Sequence, residues 1–397
     1  MVGSRPRPNR ASGTVNERTR PRDDAQVRLI DRIDYTLLFV VCLLVLIGIV
    51  MVFSASHMNA AVRQGDPFHF LTRNLVFAAL GAAAMIALIN VSYELIKPFV
   101  VIIYGVSIAL LISVLIFGEE AGGAQRWIEL FGIQFQPSEV ARAAVIFTMA
   151  YMADKFPRLA ATWKGLFVYG AVVGVVVLFI VLPGGMTAAI VTAAIGAGMI
   201  FMASPHIWRF LVVGSVGVVG IGGYLWRMAT DDGGDFRGNR VVAWLDPFAD
   251  HLDTGFQTIQ SLYAIASGGL FGLGFGNSRQ ASFIPEPHND IIFAVIVEEM
   301  GLIGASLILL LFAVFIWRGI LVAINAPDTF GSMVAAGIVL AIAIPAIINI
   351  AVVTNTIPNT GINLPFISYG GTSLIVSMAL AGVLINISRF SRAGSRT

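Results

Sequence analysis

The feature that most limits what this chain can become is the recurrence, along nearly its whole length, of apolar stretches close to 20 residues long. One helix needs about that much apolar sequence to cross the hydrocarbon of a bilayer. Candidate spans cover 35–54, 73–91, 97–117, 137–154, 165–182, 186–203, 208–227, 289–317, 329–353 and 369–388. Each is expected to be helical, because in lipid every backbone N–H and C=O must be satisfied within its own segment. Composition agrees, with 57% hydrophobic and only 12% charged residues, where a soluble domain carries about 25% charged. The expected fold class is therefore an all-α polytopic membrane protein of about ten transmembrane helices.

An even count puts both termini on one side, and positive charge says which. Lys97, then Lys155, Arg158 and Lys164, then Arg209, then Arg318 fall in alternate loops, on the side of the Arg-rich N-terminus and of Arg389, Arg392 and Arg396. Lys and Arg accumulate in cytoplasmic loops, so both termini are expected to be cytoplasmic. Segments near 55–72, 118–136, 228–288 and 354–368 then face outward. Residues 1–28, rich in Arg, Pro, Asn, Ser and Thr, read as a disordered cytoplasmic tail. Residues 29–390 read as one transmembrane domain and 391–397 as a short cytoplasmic tail. The first apolar run is of spanning length, so it reads as an uncleaved helix rather than a signal peptide. A net charge of +2 without a basic stripe points away from nucleic acid. A lone Cys42 allows no intrachain disulfide and no cysteine metal site.

The long outer loop is the anomaly. Asp231, Asp232, Asp235, Arg237, Arg240, Asp246, Asp250, Asp253, Arg279, Glu286, His288 and Asp290 lie in it or at its end. It also holds the apolar, glycine-punctuated run Ser261–Gly276 (SLYAIASGGLFGLGFG), too glycine-rich and short to span. That run is expected to be re-entrant or interfacial, covered by other helices. Charge concentrated beside buried irregular backbone is where function is sought first.

Three blocks carry a family likeness. The stretch 246–301 (DPFADHLDTGFQTIQSLYAIASGGLFGLGFGNSRQASFIPEPHNDIIFAVIVEEMG) closely resembles the SEDS family of shape, elongation, division and sporulation proteins, FtsW, RodA and SpoVE. GAQRWIELFGIQFQPSEVAR (123–142) resembles that family's GARRWI…QPSE..K block, and NTIPNTGINLPFISYGGTS (355–373) resembles its TG..LPFISYGG(S/T)S block. GLGFGNSRQ and FIPEPHND are more similar to FtsW and SpoVE than to RodA. The resemblance implies a peptidoglycan glycosyltransferase of the bacterial cytoplasmic (inner) membrane with an outward-facing site. Such an enzyme polymerises lipid II into a nascent glycan strand during cell division, beside a class B penicillin-binding protein transpeptidase and other divisome proteins. An elongation role of the RodA type is the nearest alternative.

Asp250 aligns with the family's essential aspartate, ahead of Gly255-Phe256-Gln257. A sugar hydroxyl is a poor nucleophile, and a positioned base speeds its attack by about 10²–10⁴-fold. An ordinary Asp is a weak base unless burial raises its pKa. A single inverting displacement of undecaprenyl pyrophosphate needs one base and no covalent intermediate. Asp253, close by, either tunes Asp250 or is itself the base. Arg237 and Arg240, three apart, and at lower weight Arg126, suit a pyrophosphate leaving group through the guanidinium fork. Gln257, Glu286, His288, Asp290, Asn355, Ser368 and Tyr369 are the remaining candidates for the substrate site. Glu139 and Arg142, at i,i+3, read as a structural pair, an activation pair, or both, because an unpaired charge inside a span is costly. Glu298 and Glu299 point about 100° apart on a helix and cannot both face one site. The carboxylates also suit a divalent cation such as Mg²⁺ or Mn²⁺, although no spacing demands one. Where the family has P-D-(L/F)-G-T, this chain has Pro183-Gly184-Gly185-Met186-Thr187 and lacks the acid.

Three other functions compete. A lipid II translocase requires a continuous polar path across the membrane. A non-catalytic division scaffold requires only partner-binding surfaces. A secondary transporter would be expected to show inverted repeats, and none is visible.

Overall fold

The computed structural model describes residues 33–121, 124–130, 133–204, 208, 244–248 and 255–390. The two tails, the span expected at 208–227, and Arg237, Arg240, Asp250 and Asp253 lie outside the described residues.

Helix α1 (Tyr35–Gln64) starts at Asp34, whose carboxylate accepts from the N–H of Thr36 and Leu37 at 3.0 and 3.1 Å, and stops at Gly65 with φ 71°. After α2 (His69–Asn90), a 3-10 segment (Tyr93–Phe99) leads into α3 (Val100–Phe117). Three short antiparallel strands follow, β1 (Glu119–Ala121), β2 (Ala124–Leu130) and β3 (Ile133–Phe135), in sheet order β1-β2-β3. Pro137 opens α4 (Pro137–Lys155), as proline does at a first helical position. Then come α5 (Trp163–Val181), α6 (Met186–Ala203), the short α7 (Phe256–Gly268), α8 (Ile292–Asn325), α9 (Thr329–Val353) and α10 (Gly371–Arg389).

Among the described residues, 8 helical stretches are long and apolar enough to cross a membrane. The chain is a multi-pass helical membrane protein. Every expected span inside the described residues holds a helix, with α4 the most polar of them. The fold departs from the sequence expectation in two places. The outer segment at 118–136 is a small sheet, so the class is helical with a β appendage. The span expected from 289 is not one helix either. It begins at Ile292 and breaks at Gly301, whose φ of 66° and ψ of −169° are foreign to a helix.

The break explains how the glycine-rich run is held. The carbonyls of Glu298 and Glu299, freed at the end of the first half-helix, accept from Leu273 and Gly274 at 2.9 and 3.0 Å. The N–H groups of Leu302 and Ile303, freed at the start of the second half, donate to Gly269 and Leu270 at 2.9 and 3.2 Å. A helix interrupted at membrane depth is tolerated when its loose ends find such partners. The two glutamates reinforce the dock from different faces. Glu298 accepts from the hydroxyls of Ser267 and Ser278 and the N–H of Arg279, whereas Glu299 accepts from the Ser54 hydroxyl at 2.7 and 2.6 Å.

α10 and α9 are the most enclosed spans, and the 3-10–α3 stretch the least. α2 lies flat on α10: a Cβ at Gly382 would sit 2.6 Å from the Met85 carbonyl. Small residues bring helices this close where lipid offers no hydrophobic drive. The two ends of the bundle differ in chemistry. At one end, Asp34 binds Arg318 at 2.6 Å, Lys97 binds Asp154, the Tyr93 hydroxyl donates to Asp328 at 2.6 Å, and Asn386 donates to the Ile89 carbonyl at 2.7 Å. At the other end the helices part around a cavity.

Candidate active site

This cavity, about 680 Å³, lies where the N-terminal ends of α2, α4, α6 and α10 meet the sheet, the turn before α8 and the turn before α10. Its polarity comes from those ends. Arg73 enters from α2, Arg126 from β2, and Glu139 and Arg142 from α4. Thr187 enters from α6, Gln257 from α7, Glu286, Asn289 and Asp290 from the turn before α8, and Tyr369 and Ser373 from around the start of α10.

Cross-links fix the walls. Thr187 Oγ1 donates to the Thr360 carbonyl at 2.7 Å, and Asn349 Nδ2 donates to both the Asp290 and Ile362 carbonyls at 2.6 Å. The Gln136 N–H donates to Thr372 Oγ1 at 3.1 Å, stitching the sheet to α10. Asn359 Nδ2 donates to Gln257 Oε1 at 2.9 Å, so this glutamine is oriented by the last outer turn. Glu286 has φ 54°, a conformation rare for a non-glycine residue; Asn289 holds it there, donating its N–H to the Glu286 carbonyl at 3.1 Å and its Nδ2 to the carboxylate at 2.7 Å. Backbone held in such a state concentrates at binding sites. Arg142 and Glu139 pair at 2.9 Å and both line the cavity, so this couple is simultaneously a structural pair and part of the wall.

Of the residues singled out from sequence, Arg126, Glu139, Arg142, Gln257, Glu286, Asp290 and Tyr369 are brought together on this cavity. Three others are not on its lining. His288 is buried, its ring tilted against Phe70 at 4.1 Å and edge-on to Tyr369 at 5.4 Å, and burial pushes its pKa down to about 4, so it is neutral. Ser368 is buried and accepts from the Leu364 N–H at 2.8 Å, closing the turn. Asn355 has φ 54° and ties to Trp244, whose indole N–H donates to its carbonyl at 3.1 Å. Sequence reasoning missed Arg73, Thr187, Gln134, Gln136 and Asn289. The signal for Arg73 was present, as a charge at the start of an expected span. Among the described residues no three His, Cys, Asp or Glu gather closely enough to hold a metal, and Glu286 with Asp290 makes at most a partial ligand set.

Chemically, a chamber with guanidiniums on the α2, β2 and α4 walls, and amides and carboxylates on the opposite turns, suits a ligand that is anionic at one end and rich in hydroxyls at the other. Fold and chamber together define a multi-pass membrane protein whose chemistry is built at one end of a helix bundle. Residues 35–393 match the FtsW/RodA/SpoVE family model, described as a cell cycle protein, and the chain belongs to that family. It is 40% identical to stage V sporulation protein E of Bacillus subtilis (strain 168), over 90% of this chain and 98% of that one. It is 38% identical to a probable peptidoglycan glycosyltransferase FtsW of Geobacter sp. (strain M18), over 93% and 100%. A solved structure described as "Structural coordination of polymerization and crosslinking by a peptidoglycan synthase complex" superposes with a TM-score of 0.75 at 26% identity, covering 90% of this chain and 98% of that one. The rod shape determining protein RodA of Thermus thermophilus shares the fold, with a TM-score of 0.66 at 24% identity over 91% and 98%.

Proposed function

We propose that this chain is a peptidoglycan glycosyltransferase that polymerises lipid II at the outer face of the bacterial cytoplasmic membrane, in the division role. The coarser part of that reading, a glycosyltransferase of peptidoglycan, follows the activity named for the FtsW relatives. The observation that carries the finer part is the chamber itself. It lies at the bundle end whose loops, by the distribution of Lys and Arg, face outward. The opposite end carries, among the described residues, the Asp34–Arg318 and Lys97–Asp154 pairs and the Tyr93–Asp328 hydrogen bond. A translocase needs a polar path through both ends; a polymerase needs only the outer one.

In this reading the anomeric carbon of the lipid-linked donor is attacked by an acceptor sugar hydroxyl, whose proton passes to the carboxylate of Asp250, or of Asp253 in its place. The C–O bond to the pyrophosphate breaks, and the departing charge is met by guanidiniums, those of Arg237 and Arg240 with Arg126 from the chamber wall. Gln257, Glu286 and Asp290 receive sugar hydroxyls in this reading, which their place on the chamber lining supports. Lipid II, the nascent strand, a class B penicillin-binding protein and divisome proteins are the partners this reading requires.

The test is glycan synthesis from labelled lipid II by wild type, Asp250→Asn and Asp253→Asn, each co-purified with its transpeptidase and matched for thermal stability. Loss by about 10²-fold or more in Asp250→Asn alone is the expected result. Loss in Asp253→Asn alone moves the base three residues along. Equal synthesis by all three removes both acids from the mechanism.

A further inference from the structure

Among the described residues, Arg73 is the chamber arginine supplied by α2, a helix with much of its surface on the outside of the bundle. It lies one turn into α2 and is exposed, with its neighbours Leu75 and Val76 also exposed on the outside of the bundle. Tyr369 lines the chamber with it, its ring packed on Phe70 and Phe77, the residues flanking Arg73 on the same helix, so the phenol lies beside the guanidinium. That tyrosine is held by edge contacts to Phe70 at 5.3 Å and His288 at 5.4 Å, and by its own N–H, which donates to the His288 carbonyl at 2.9 Å. A long flexible side chain is thus oriented by a neutral partner. Arg142, by contrast, is neutralised by Glu139 on the same cavity. A phenol fixes a guanidinium without cancelling its charge, so Arg73 keeps its electrostatic pull for a ligand.

Position narrows the ligand. Arg73 lines the chamber beside Val76 and Phe77, at the edge where Leu75 and Val76 are exposed on the outer surface of the bundle. An anion there can belong to a molecule whose tail stays in lipid while its head enters the cavity. Resting on the polymerase reading above, we propose that Arg73, oriented by Tyr369, binds the pyrophosphate of the polyprenyl-linked substrate at the lateral edge of the chamber. Tyr369 is then a positioning residue, acting through the arginine.

The test uses the full chain in neutral phosphatidylcholine nanodiscs, with two readouts: binding of labelled undecaprenyl pyrophosphate, and the KM and kcat for lipid II. Arg73→Ala is expected to weaken binding and raise KM by about 10–100-fold, the usual loss for a hydrogen bond to a charged group, with a smaller change in kcat. Arg73→Lys keeps charge without the fork and falls between. Tyr369→Phe moves both readouts the same way but less. Undecaprenol, which has no phosphate, should bind wild type and Arg73→Ala alike. If Arg73 instead serves bulk headgroups, its effect will disappear when the nanodisc is made of anionic phosphatidylglycerol, and the proposal is overturned. Unchanged binding and KM in both Arg73 variants overturn it too. Arg73-dependent binding by a wild type that makes no glycan would sink the polymerase reading and leave this inference standing.

Discussion

Replacing Gly301 by alanine attacks the joint that holds the glycine-rich run against the bundle. Its φ of 66° with ψ of −169° belongs to a region that side chains avoid, at a cost of about 1–3 kcal/mol. An added Cβ would also lie 2.3 Å from the Leu270 carbonyl oxygen and 2.4 Å from the Gly272 nitrogen. Backbone cannot yield to such a contact as a side-chain tip can, so the 269–274 segment must lift. Lifting breaks the four backbone hydrogen bonds that join it to residues 298, 299, 302 and 303. At about 0.5–1.5 kcal/mol net each, the total loss is roughly 3–9 kcal/mol. The assay is thermal unfolding in nanodiscs together with trypsin cleavage at Arg279, which is exposed but lies in a segment pinned by Glu298. Gly301→Ala should lower the midpoint markedly and speed cleavage there. Gly170→Ala, whose Cβ would meet nothing within 4 Å, should do neither. A Gly301→Ala protein with wild-type midpoint and cleavage would show that the broken helix is not what secures the segment.

Two further outcomes are expected. Glu139→Gln leaves Arg142 as an enclosed charge without its 2.9 Å partner and should cost about 3–5 kcal/mol; the double variant Glu139→Gln/Arg142→Gln should be less destabilised than either single one in a thermal double-mutant cycle. His288 is neutral, its pKa pushed down to about 4 by burial, against about 6.5 in an unfolded chain. Its contribution is therefore complete above about pH 6.5 and is lost as pH falls toward 4, by up to roughly 3 kcal/mol. His288→Gln should flatten that slope in a pH series of unfolding midpoints, and an unchanged slope would contradict the burial argument.

The helices were legible because crossing lipid imposes one length and one polarity on every span, whatever its partners. The break at Gly301 was not, since a single glycine in a long apolar run looks the same whether it is helical or in a left-handed turn; only the docked carbonyls of Gly269 and Leu270 distinguish the cases. The sheet at 119–135 was missed because its two outer strands, of three residues each, are too short to show alternation, leaving the seven-residue β2 without a readable partner. At the site, residues in the family-like blocks were readable individually, and Glu139 with Arg142 readable as a pair from their spacing. Arg73 carried a signal, a charge at the start of an expected span, but its place in the chamber did not show, because that depends on Tyr369 from the far end of the chain. His288, Ser368 and Asn355 stand within motif blocks yet serve packing and turn geometry. A motif marks a neighbourhood, and only side-chain direction separates its lining from its scaffold.

The most direct test of the central claim places the purified chain and its transpeptidase in sealed vesicles carrying labelled lipid II in both leaflets. Strand formation and transbilayer movement are read from the same sample. The chamber at one end and the paired charges at the other predict glycan strands built only from lipid II in the chamber-facing leaflet, with no movement between leaflets. Lipid II crossing the bilayer while no strand forms would contradict the account.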